Sequence, residues 1–222
     1  MLDISSSPEQ VQGQSVLKPA NLLIHETFQE TVQGEGHHSG LPVDFIRLGG
    51  CSVGCSWCDT GYGDGAVPSM LGRRSIESLI SELKSHHCVV SGGEPFHQLG
   101  LIDLVEAIEE SGRVCHIETS GARWLDISDH AWVTLSPKSH LGKPLDDRFW
   151  ARTNEIKIVI SSISDFNYYD TRGLLDKKPC SIFLQPEWSN REKTIPLVLE
   201  ILKTSTRNLK LSLQMHKMIG VQ

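Results

Sequence analysis

The sequence predicts an α/β protein whose strands form an open, partial (β/α)6-type barrel. Apolar segments with strand character alternate with helical segments, which is typical of βαβ units and a mainly parallel sheet. A closed barrel of eight such units takes about 250 residues, whereas this chain has 222 residues and fits six or seven. Polar segments follow successive strands, and in a parallel barrel such segments meet at one face.

The first strand–helix–strand unit spans residues 43–91. VDFIRL at 43–48 is rich in apolar residues and predicts a strand. SIESLISELKS at 75–85 places apolar side chains at helical spacing and predicts a helix, with Ser75 as its N-cap. The short apolar run CVVS at 88–91 predicts the next strand.

The second unit consists of a helix and the strand after it. Residues 99–112 place their leucine, valine and isoleucine side chains on one helical face, and Gly112 is a suitable end for that helix. The run RVCHIE at 113–118 predicts the strand.

The second half of the chain contributes four more strands and one helix. Its apolar runs predict strands at 132–136, 155–160, 181–185 and 209–214. Asn190 is placed to cap a helix that extends to about Lys203.

Composition limits the classes of partner. Residues 1–21 are polar and lack a period, so they predict a flexible lead before a single domain at 22–222. The net charge of −6 argues against duplex DNA or bulk RNA as a partner. The sequence shows neither an apolar run of about 18 residues nor a secretory pattern. A cytoplasmic protein without a nucleic-acid or membrane partner is therefore expected.

The segment CSVGCSWCDT at 51–60 holds three of the six cysteines, at spacing C-x₃-C-x₂-C. Such crowding favours a metal or cluster over disulfides in a cytosolic protein. A structural zinc site has four protein ligands, and a [4Fe–4S] cluster normally takes four thiolates. Three thiolates leave one iron open, although a distant fourth ligand would complete a zinc site. The other cysteines lie in apolar runs and are expected to be buried.

Further polar segments follow the later strands: SGGEP, ETSG, SPK, LQP and LQMHK. Together with VQGEG at 32–36, FIRL at 45–48, EIK at 155–157 and the cysteine segment, they resemble the motifs of the 7-carboxy-7-deazaguanine synthase family. That family belongs to the radical S-adenosylmethionine (SAM) superfamily, and the resemblance extends from about His25 to Lys217. The cysteine spacing alone specifies only the superfamily.

The resemblance implies a [4Fe–4S] cluster on Cys51, Cys55 and Cys58, with SAM bound at the open iron. For SAM it implies contacts from the ends of several strands, at Trp57, Asp59, Gly92, Gly93, Glu94, Ser136, Lys138 and Gln185. Glycines allow close backbone approach, and the hydroxyl and cation of the SPK segment suit polar groups of SAM.

For the substrate, the resemblance implies a pterin held by Gln33, Gly34, Glu35, Arg47, Ser91 and His216. A carboxylate at Glu35 suits the donor edge of a 2-amino-4-oxo ring, and Arg47 suits a carboxylate. The threonine Thr60 is implied as a Mg²⁺ ligand, because hydroxyl is a hard oxygen ligand. Glu118 is either a site residue or a structural acceptor. The pairs His37–His38 and His86–His87 are expected to face solvent.

The implied enzyme is a lyase that converts 6-carboxy-5,6,7,8-tetrahydropterin to 7-carboxy-7-deazaguanine with loss of ammonia, on the route to queuosine. A flavodoxin or ferredoxin-type reductant and a homodimer are also implied. Two alternatives remain: an activase that generates a radical on a partner protein, and a non-catalytic iron–sulfur or zinc module.

Overall fold

The computed structural model describes residues 21–63, 66–142, 145–177 and 180–222. Its strands are β1 (Asn21–Val32), β2 (Pro42–Leu48), β3 (Gly72–Ser75), β4 (His87–Gly92), β5 (Val114–Thr119), β6 (Trp132–Leu135), β7 (Glu155–Ile160), β8 (Ser181–Pro186) and β9 (Leu209–Leu211). Its α-helices are α1 (Ile76–Glu82), α2 (Leu101–Glu110), α3 (Asp147–Arg152), α4 (Ile163–Asp170), α5 (Arg191–Thr204) and α6 (Met215–Ile219).

All nine described strands form one open sheet in the order β3-β1-β2-β4-β5-β6-β7-β8-β9. From β2 through β9 every neighbouring pair is parallel, whereas β1 is antiparallel to both β2 and β3. The predicted partial barrel is therefore confirmed, with a two-strand antiparallel extension on one edge.

The two faces of the sheet differ in polarity. Apolar side chains of alternate strand positions, such as Ile117, Ile156 and Leu184, belong to the main core shared with the helices. The intervening positions point into the barrel and are largely polar, as at Glu118 and Lys157. Parallel strands are usually apolar on both faces, so a polar barrel interior marks a binding site.

Several helix ends follow the expected chemistry. The Ser75 side chain accepts a hydrogen bond from the Ser78 N–H at 3.2 Å, as a helix N-cap does. Gly112 adopts a positive φ of 78° just after α2. Asn190 occupies the N-cap position of α5 but makes no side-chain capping bond. Its side-chain N–H instead donates to Glu187, which also accepts from backbone N–H groups.

The elements differ from prediction at several places. The strands β1 and β3 and the helices α3, α4 and α6 were not predicted, and β9 is shorter than the predicted strand at 209–214. The flexible lead falls outside the described residues, apart from Asn21, which pairs with Ser75. Cys88 and Cys115 are buried as expected. The prediction that Cys180 is buried is wrong, because this residue precedes β8 and is partly exposed.

A fully buried carboxylate fixes the edge where β1 joins the parallel sheet. Asp44 accepts hydrogen bonds from the backbone N–H groups of Glu30, Lys84 and Ser85 at 2.9, 2.6 and 2.7 Å. The Ser85 hydroxyl donates a fourth bond at 2.9 Å. These bonds lower the pKa of Asp44 although burial alone would raise it. The carboxylate thus joins a bulge in β1 to the segment after α1.

Among the described residues, no helix has both the length and the apolar character required to cross a membrane.

Candidate active site

A cavity of about 210 Å³ lies among the carboxyl-terminal ends of the parallel strands. All the site residues predicted from sequence line it except Gly34, which packs behind the wall. The lining set is Gln33, Glu35, Arg47, Cys51, Cys55, Trp57, Cys58, Asp59, Thr60, Ser91, Gly92, Gly93, Glu94, Ser136, Lys138, Gln185 and His216. Residues more than 180 positions apart in sequence are therefore brought to one site.

The cysteine loop begins directly after β2. Gly50 and Gly54 have φ values of +87° and +68°, which favour glycine and let the loop reverse direction. The Gly50 N–H donates to the buried Tyr62 hydroxyl at 2.8 Å, and the Cys58 N–H donates to the Cys55 carbonyl at 3.1 Å. The loop therefore holds its three thiols on one wall of the cavity.

Two of the three thiols, Cys51 and Cys55, disfavour their charged form, chiefly because they are buried. Burial, together with the neighbouring thiols at Cys51 and Cys58, raises the pKa of Cys55 to about 11, although Lys138 acts in the opposite direction. The pKa of Cys51 is also raised, chiefly by burial. Metals bind the deprotonated thiolate, and the positive charge of a metal centre would stabilise the thiolate over the protonated thiol. The loop is therefore suited to an iron–sulfur centre.

The turn after β4 packs tightly against the start of the cysteine loop. The Gly93 N–H donates to the Leu48 carbonyl at 2.8 Å, and the Glu94 N–H donates to the Gly50 carbonyl at 2.9 Å. A Cβ atom on Gly92 would lie 2.3 Å from the Leu48 carbonyl oxygen, and one on Gly93 would lie 2.1 Å from the Gly50 oxygen. Both glycines are therefore required by close approach of the two backbones.

The Glu94 carboxylate is committed to the neighbouring turn. It accepts from the Thr119 hydroxyl at 2.6 Å, from the Ser120 N–H at 2.8 Å and from the Ser120 hydroxyl. A fourth bond comes from the Phe96 N–H at 3.2 Å. These four bonds fill the acceptor capacity of the carboxylate. Its observed contacts thus connect the turns after β4 and β5.

A cation lies against the cysteine loop. The Lys138 ammonium donates to the Ser136 carbonyl at 2.8 Å and hydroxyl at 2.6 Å, and lies 5.2 Å from the centre of the Trp57 ring. Burial lowers the pKa of Lys138. Gln185 lies on the opposite wall, where its carbonyl accepts from the Ser212 hydroxyl at 2.9 Å.

The floor of the cavity is a charged network supplied by the QGEG segment and two strands. The Lys157 ammonium forms ion pairs with Glu35 and with Glu118, the latter at 3.1 Å. The Gln33 amide donates to Glu118 at 3.1 Å. Gln33 also accepts from the Glu35 N–H at 3.1 Å and so fixes the loop conformation.

The segment that follows β9 closes the cavity from the side. The Gln214 amide donates to Glu35 at 2.8 Å and to Asp59 at 3.0 Å. Lys217 donates to Asp59 at 2.9 Å. Burial would raise the pKa of Asp59, but Lys217 and Gln214 lower it to about 2. The Asp59 carboxylate is therefore an ionised link between the cysteine loop and α6.

His216 and Gly34 are in close contact behind the floor. A Cβ atom on Gly34 would lie 1.9 Å from the His216 Nδ1 atom, and the Met215 N–H donates to the Gly34 carbonyl at 3.0 Å. Burial lowers the pKa of His216 although Glu35 opposes this effect. The neutral imidazole therefore borders the cavity beside Glu35.

Arg47 lies on the cavity wall near the end of β2, and Ser91 occupies the paired position on the adjacent strand β4. Its guanidinium is 3.2 Å from the Glu26 carboxylate and 5.6 Å from the centre of the Phe28 ring. The buried Nε atom has no hydrogen-bond partner among the described residues. A buried donor without a partner is unfavourable, so this wall is suited to an anionic ligand. Thr60 lies on the rim of the same cavity.

Sequence reasoning assigned no role to Lys157 or Gln214. The strand β7 reads EIKIVI, in which Glu155 and Lys157 alternate with isoleucines. Charged residues at alternating positions of a central strand are the signal that was available for Lys157. Gln214 lay within the LQMHK segment, but only the folded chain shows that it joins Glu35 to Asp59.

Comparison with known proteins agrees with this geometry. Residues 45–135 match the family model described as the Radical SAM superfamily. The chain is 35% identical to the 7-carboxy-7-deazaguanine synthase of Escherichia coli strain K12 over 224 residues, which covers 89% of this chain and 98% of that protein. It is 34% identical to the protein of the same name from Synechocystis sp., covering 90% of this chain and 93% of the other.

A solved structure has the same fold. The crystal structure of QueE from Escherichia coli superposes with a TM-score of 0.75 at 33% sequence identity, covering 88% of this chain and 95% of that one. Likeness at this level extends over most of the chain rather than over the cysteine loop alone. The chain therefore belongs to the 7-carboxy-7-deazaguanine synthase family of the radical SAM superfamily.

Proposed function

We propose that this protein converts 6-carboxy-5,6,7,8-tetrahydropterin to 7-carboxy-7-deazaguanine and ammonia, within queuosine biosynthesis. Family membership supports a radical SAM enzyme that uses a [4Fe–4S] cluster and SAM. One observation carries the substrate assignment: the three-thiol loop and a floor of paired charges line the same cavity. Cys51, Cys55 and Cys58 would hold the cluster, which together with bound SAM would supply the one-electron chemistry that the reaction requires.

Cys51, Cys55 and Cys58 are the proposed cluster ligands. The backbone around Gly92 and Gly93 allows close approach to the SAM amino acid group, and Lys138 with Ser136 and Gln185 offers polar contacts. The Trp57 ring lies 5.2 Å from the Lys138 ammonium and is proposed to border the SAM site beside it. For Glu94 and Asp59 we propose an indirect role toward SAM, because their carboxylates are occupied by protein donors.

The pterin is proposed to lie on the floor with its 2-amino-4-oxo edge toward Glu35. Arg47, whose Nε atom lacks a partner, would hold the substrate carboxylate. Ser91 and His216 border the same space, while Gln33 and Gly34 shape the loop that carries Glu35. Restricted access of water to this cavity would protect a radical from side reactions.

Thr60 is proposed as a protein ligand to Mg²⁺, which would supply positive charge for the substrate carboxylate. Its hydroxyl lies on the cavity rim, and the nearby Asp59 carboxylate adds negative charge. Mg²⁺ favours oxygen ligands and keeps several waters, so one threonine hydroxyl is compatible with it.

We also propose a flavodoxin or ferredoxin-type reductant, a homodimer and a cytoplasmic location. All six cysteines are free of disulfides, and an iron–sulfur enzyme with free thiols suits a reducing compartment. Exposed apolar residues at Met218, Ile219 and Val221 form a candidate dimer surface near α6.

An anaerobic turnover assay tests the proposed reaction. The reconstituted protein is incubated with SAM, dithionite, Mg²⁺ and 6-carboxytetrahydropterin, and the products are followed by mass spectrometry. We expect 7-carboxy-7-deazaguanine and ammonia in equal amounts over many turnovers, with SAM retained. Cleavage of SAM without a deazapurine product would preserve the cluster assignment and overturn the substrate.

A further inference from the structure

Lys157 lies between two carboxylates in the cavity floor. Its side chain is only 5% exposed, and it pairs with Glu35 and Glu118, whose side chains are 11% and 22% exposed. These groups come from three separated parts of the chain: the loop after β1, the strand β5 and the strand β7. A buried ammonium loses much of its hydration, which is unfavourable unless nearby negative charges compensate. Glu35 and Glu118 provide that compensation for Lys157.

Each carboxylate keeps acceptor capacity toward the cavity. Glu35 accepts from Lys157 through one oxygen and from Gln214 through the other, at 2.8 Å. Glu118 similarly accepts from Lys157 and from Gln33, both at 3.1 Å. A carboxylate has about four lone-pair sites, so each has room for a further donor.

The charge of Lys157 favours the ionised form of Glu35, which shares the buried site with Glu118. Two carboxylates that share a buried site repel each other, and one of them becomes protonated unless a cation intervenes. Burial raises the pKa of Glu35, but Lys157 outweighs this and lowers it. Charged or titratable groups face this cluster from all the surrounding elements: Asp59, Lys138, Glu155 and His216 in addition to the two carboxylates.

We propose that Lys157 is a positioning residue that holds Glu35 and Glu118 side by side as the acceptor pair for the 2-amino-4-oxopyrimidine edge of the substrate. This inference rests on the proposed function. That edge presents an N–H and an amino group as adjacent donors, so two ionised carboxylates match it, whereas a protonated one presents a competing donor. The pair therefore selects rings with a 2-amino group over rings with a 2-oxo group.

Lys157→Met tests this role, because methionine keeps an unbranched apolar stem of similar length and removes the charge. The dissociation constant of 6-carboxytetrahydropterin is measured on the cluster- and SAM-loaded protein between about pH 6 and 9. We expect the variant to bind at least about tenfold more weakly near pH 7 and to recover affinity as pH rises. The wild-type affinity should change little over that range, and Lys157→Arg should restore part of the loss.

A second readout requires no pterin. Infrared absorption of a protonated carboxyl group is followed in the same protein over the same pH range. It should appear in Lys157→Met and disappear again in a second variant that also carries Glu35→Gln or Glu118→Gln. Lys84→Met is the matched control, because Lys84 pairs with Glu30 on the surface, where both side chains are more than half exposed.

The outcomes separate the two proposals. Unchanged pterin affinity in Lys157→Met at every pH would overturn the role of Lys157 and leave the proposed reaction intact. Absence of the infrared band of a protonated carboxyl group in Lys157→Met would have the same meaning. If the band appears but even the wild-type protein binds no pterin, Lys157 holds the carboxylate pair as inferred and the proposed substrate is wrong.

Discussion

At the scale of single residues, a group of histidines lies toward the amino-terminal ends of the barrel strands. His87 Nδ1 and His116 Nε2 are 2.9 Å apart, and the rings of His38 and His116 lie 4.5 Å apart. The expectation that His37 and His86 face solvent is confirmed, whereas His38 and His87 are half-buried against this group. His38 and His87 are less exposed than expected because each packs against the ring of His116 on β5.

This histidine group predicts a loss of stability on mild acidification. Burial, with the neighbouring His38 and His87, lowers the pKa of His116 from 6.5 to about 3. The unfolded chain therefore takes up a proton below pH 6.5 that the folded chain refuses, and stability falls as pH falls toward the folded pKa. Between pH 6.5 and 5 the free energy of unfolding should decrease by about 2 kcal/mol from this residue.

Urea unfolding at several pH values measures this effect. His116→Gln should reduce the slope between about pH 6.5 and 5, because it removes one of the titrating groups, whereas His38, whose pKa is lowered by burial to about 4, still contributes. His130→Gln, at an exposed position, is the control and should keep the wild-type slope. An unchanged slope in His116→Gln would contradict the assignment.

Residue roles differ in how far sequence alone reveals them. Cys51, Cys55 and Cys58 are recognisable because one short loop contains all three. Lys157 is not, because its importance depends on Glu35 and Glu118, which lie 122 and 39 positions away in the chain. The spacing of the cysteines in sequence therefore predicts the cysteine loop. The charged floor of the cavity is recognisable only from contacts in the folded chain.

At the scale of elements, β1 shows why part of the fold escaped prediction. Its sequence NLLIHETFQETV is half polar, and its register shifts between Phe28 and Thr31. Glu30 adopts a φ of 55° there, and its N–H donates to Asp44. The bulge interrupts the alternation by which a strand is recognised. The residue that stabilises this bulge, Asp44, lies in the next strand, β2.

The contact between the QGEG segment and α6 gives an element-scale prediction. In Gly34→Ala the new methyl group would collide with His216, including its backbone nitrogen, so α6 must shift away from the floor. We expect kcat/KM for the pterin to fall by about 100-fold. Cluster absorbance should be retained, because the cysteine loop is anchored independently to β2 and β4.

Steady-state turnover and visible absorbance check this prediction. Ser39→Ala, at an exposed position of the same segment, should behave as the wild type. Wild-type turnover in Gly34→Ala would show that α6 does not shape the substrate site.

At the scale of the whole molecule, the parallel sheet was predictable because each strand and its helix are consecutive in sequence. The main core on the helix face is apolar and periodic, as at Leu104 and Ile108. The antiparallel edge was not predictable, because it depends on the buried Asp44 carboxylate rather than on a periodic pattern.

Asp44→Asn should therefore destabilise the whole fold. The amide retains one acceptor oxygen, so at least one buried backbone N–H loses its partner and the charge that strengthens the others disappears. We expect a loss of about 3 kcal/mol, equivalent to roughly 10 °C in melting temperature. Calorimetry measures the shift.

Asp129→Asn is the control for that measurement, since the Asp129 side chain is 96% exposed and lies 3.7 Å from Arg152. It should leave the melting temperature nearly unchanged. A comparable loss in both variants would remove the special role assigned to Asp44.

The bond between Gln214 and Glu35 joins positions 179 residues apart. During synthesis, the cysteine loop and the strands through β8 leave the ribosome well before Gln214 does. The part of the cavity that the cysteine loop lines can thus assemble on the nascent chain, whereas the charged floor lacks its side wall until Gln214 has also emerged. Cluster insertion and substrate competence are therefore separable in time, and only a polypeptide that already includes Gln214 possesses both.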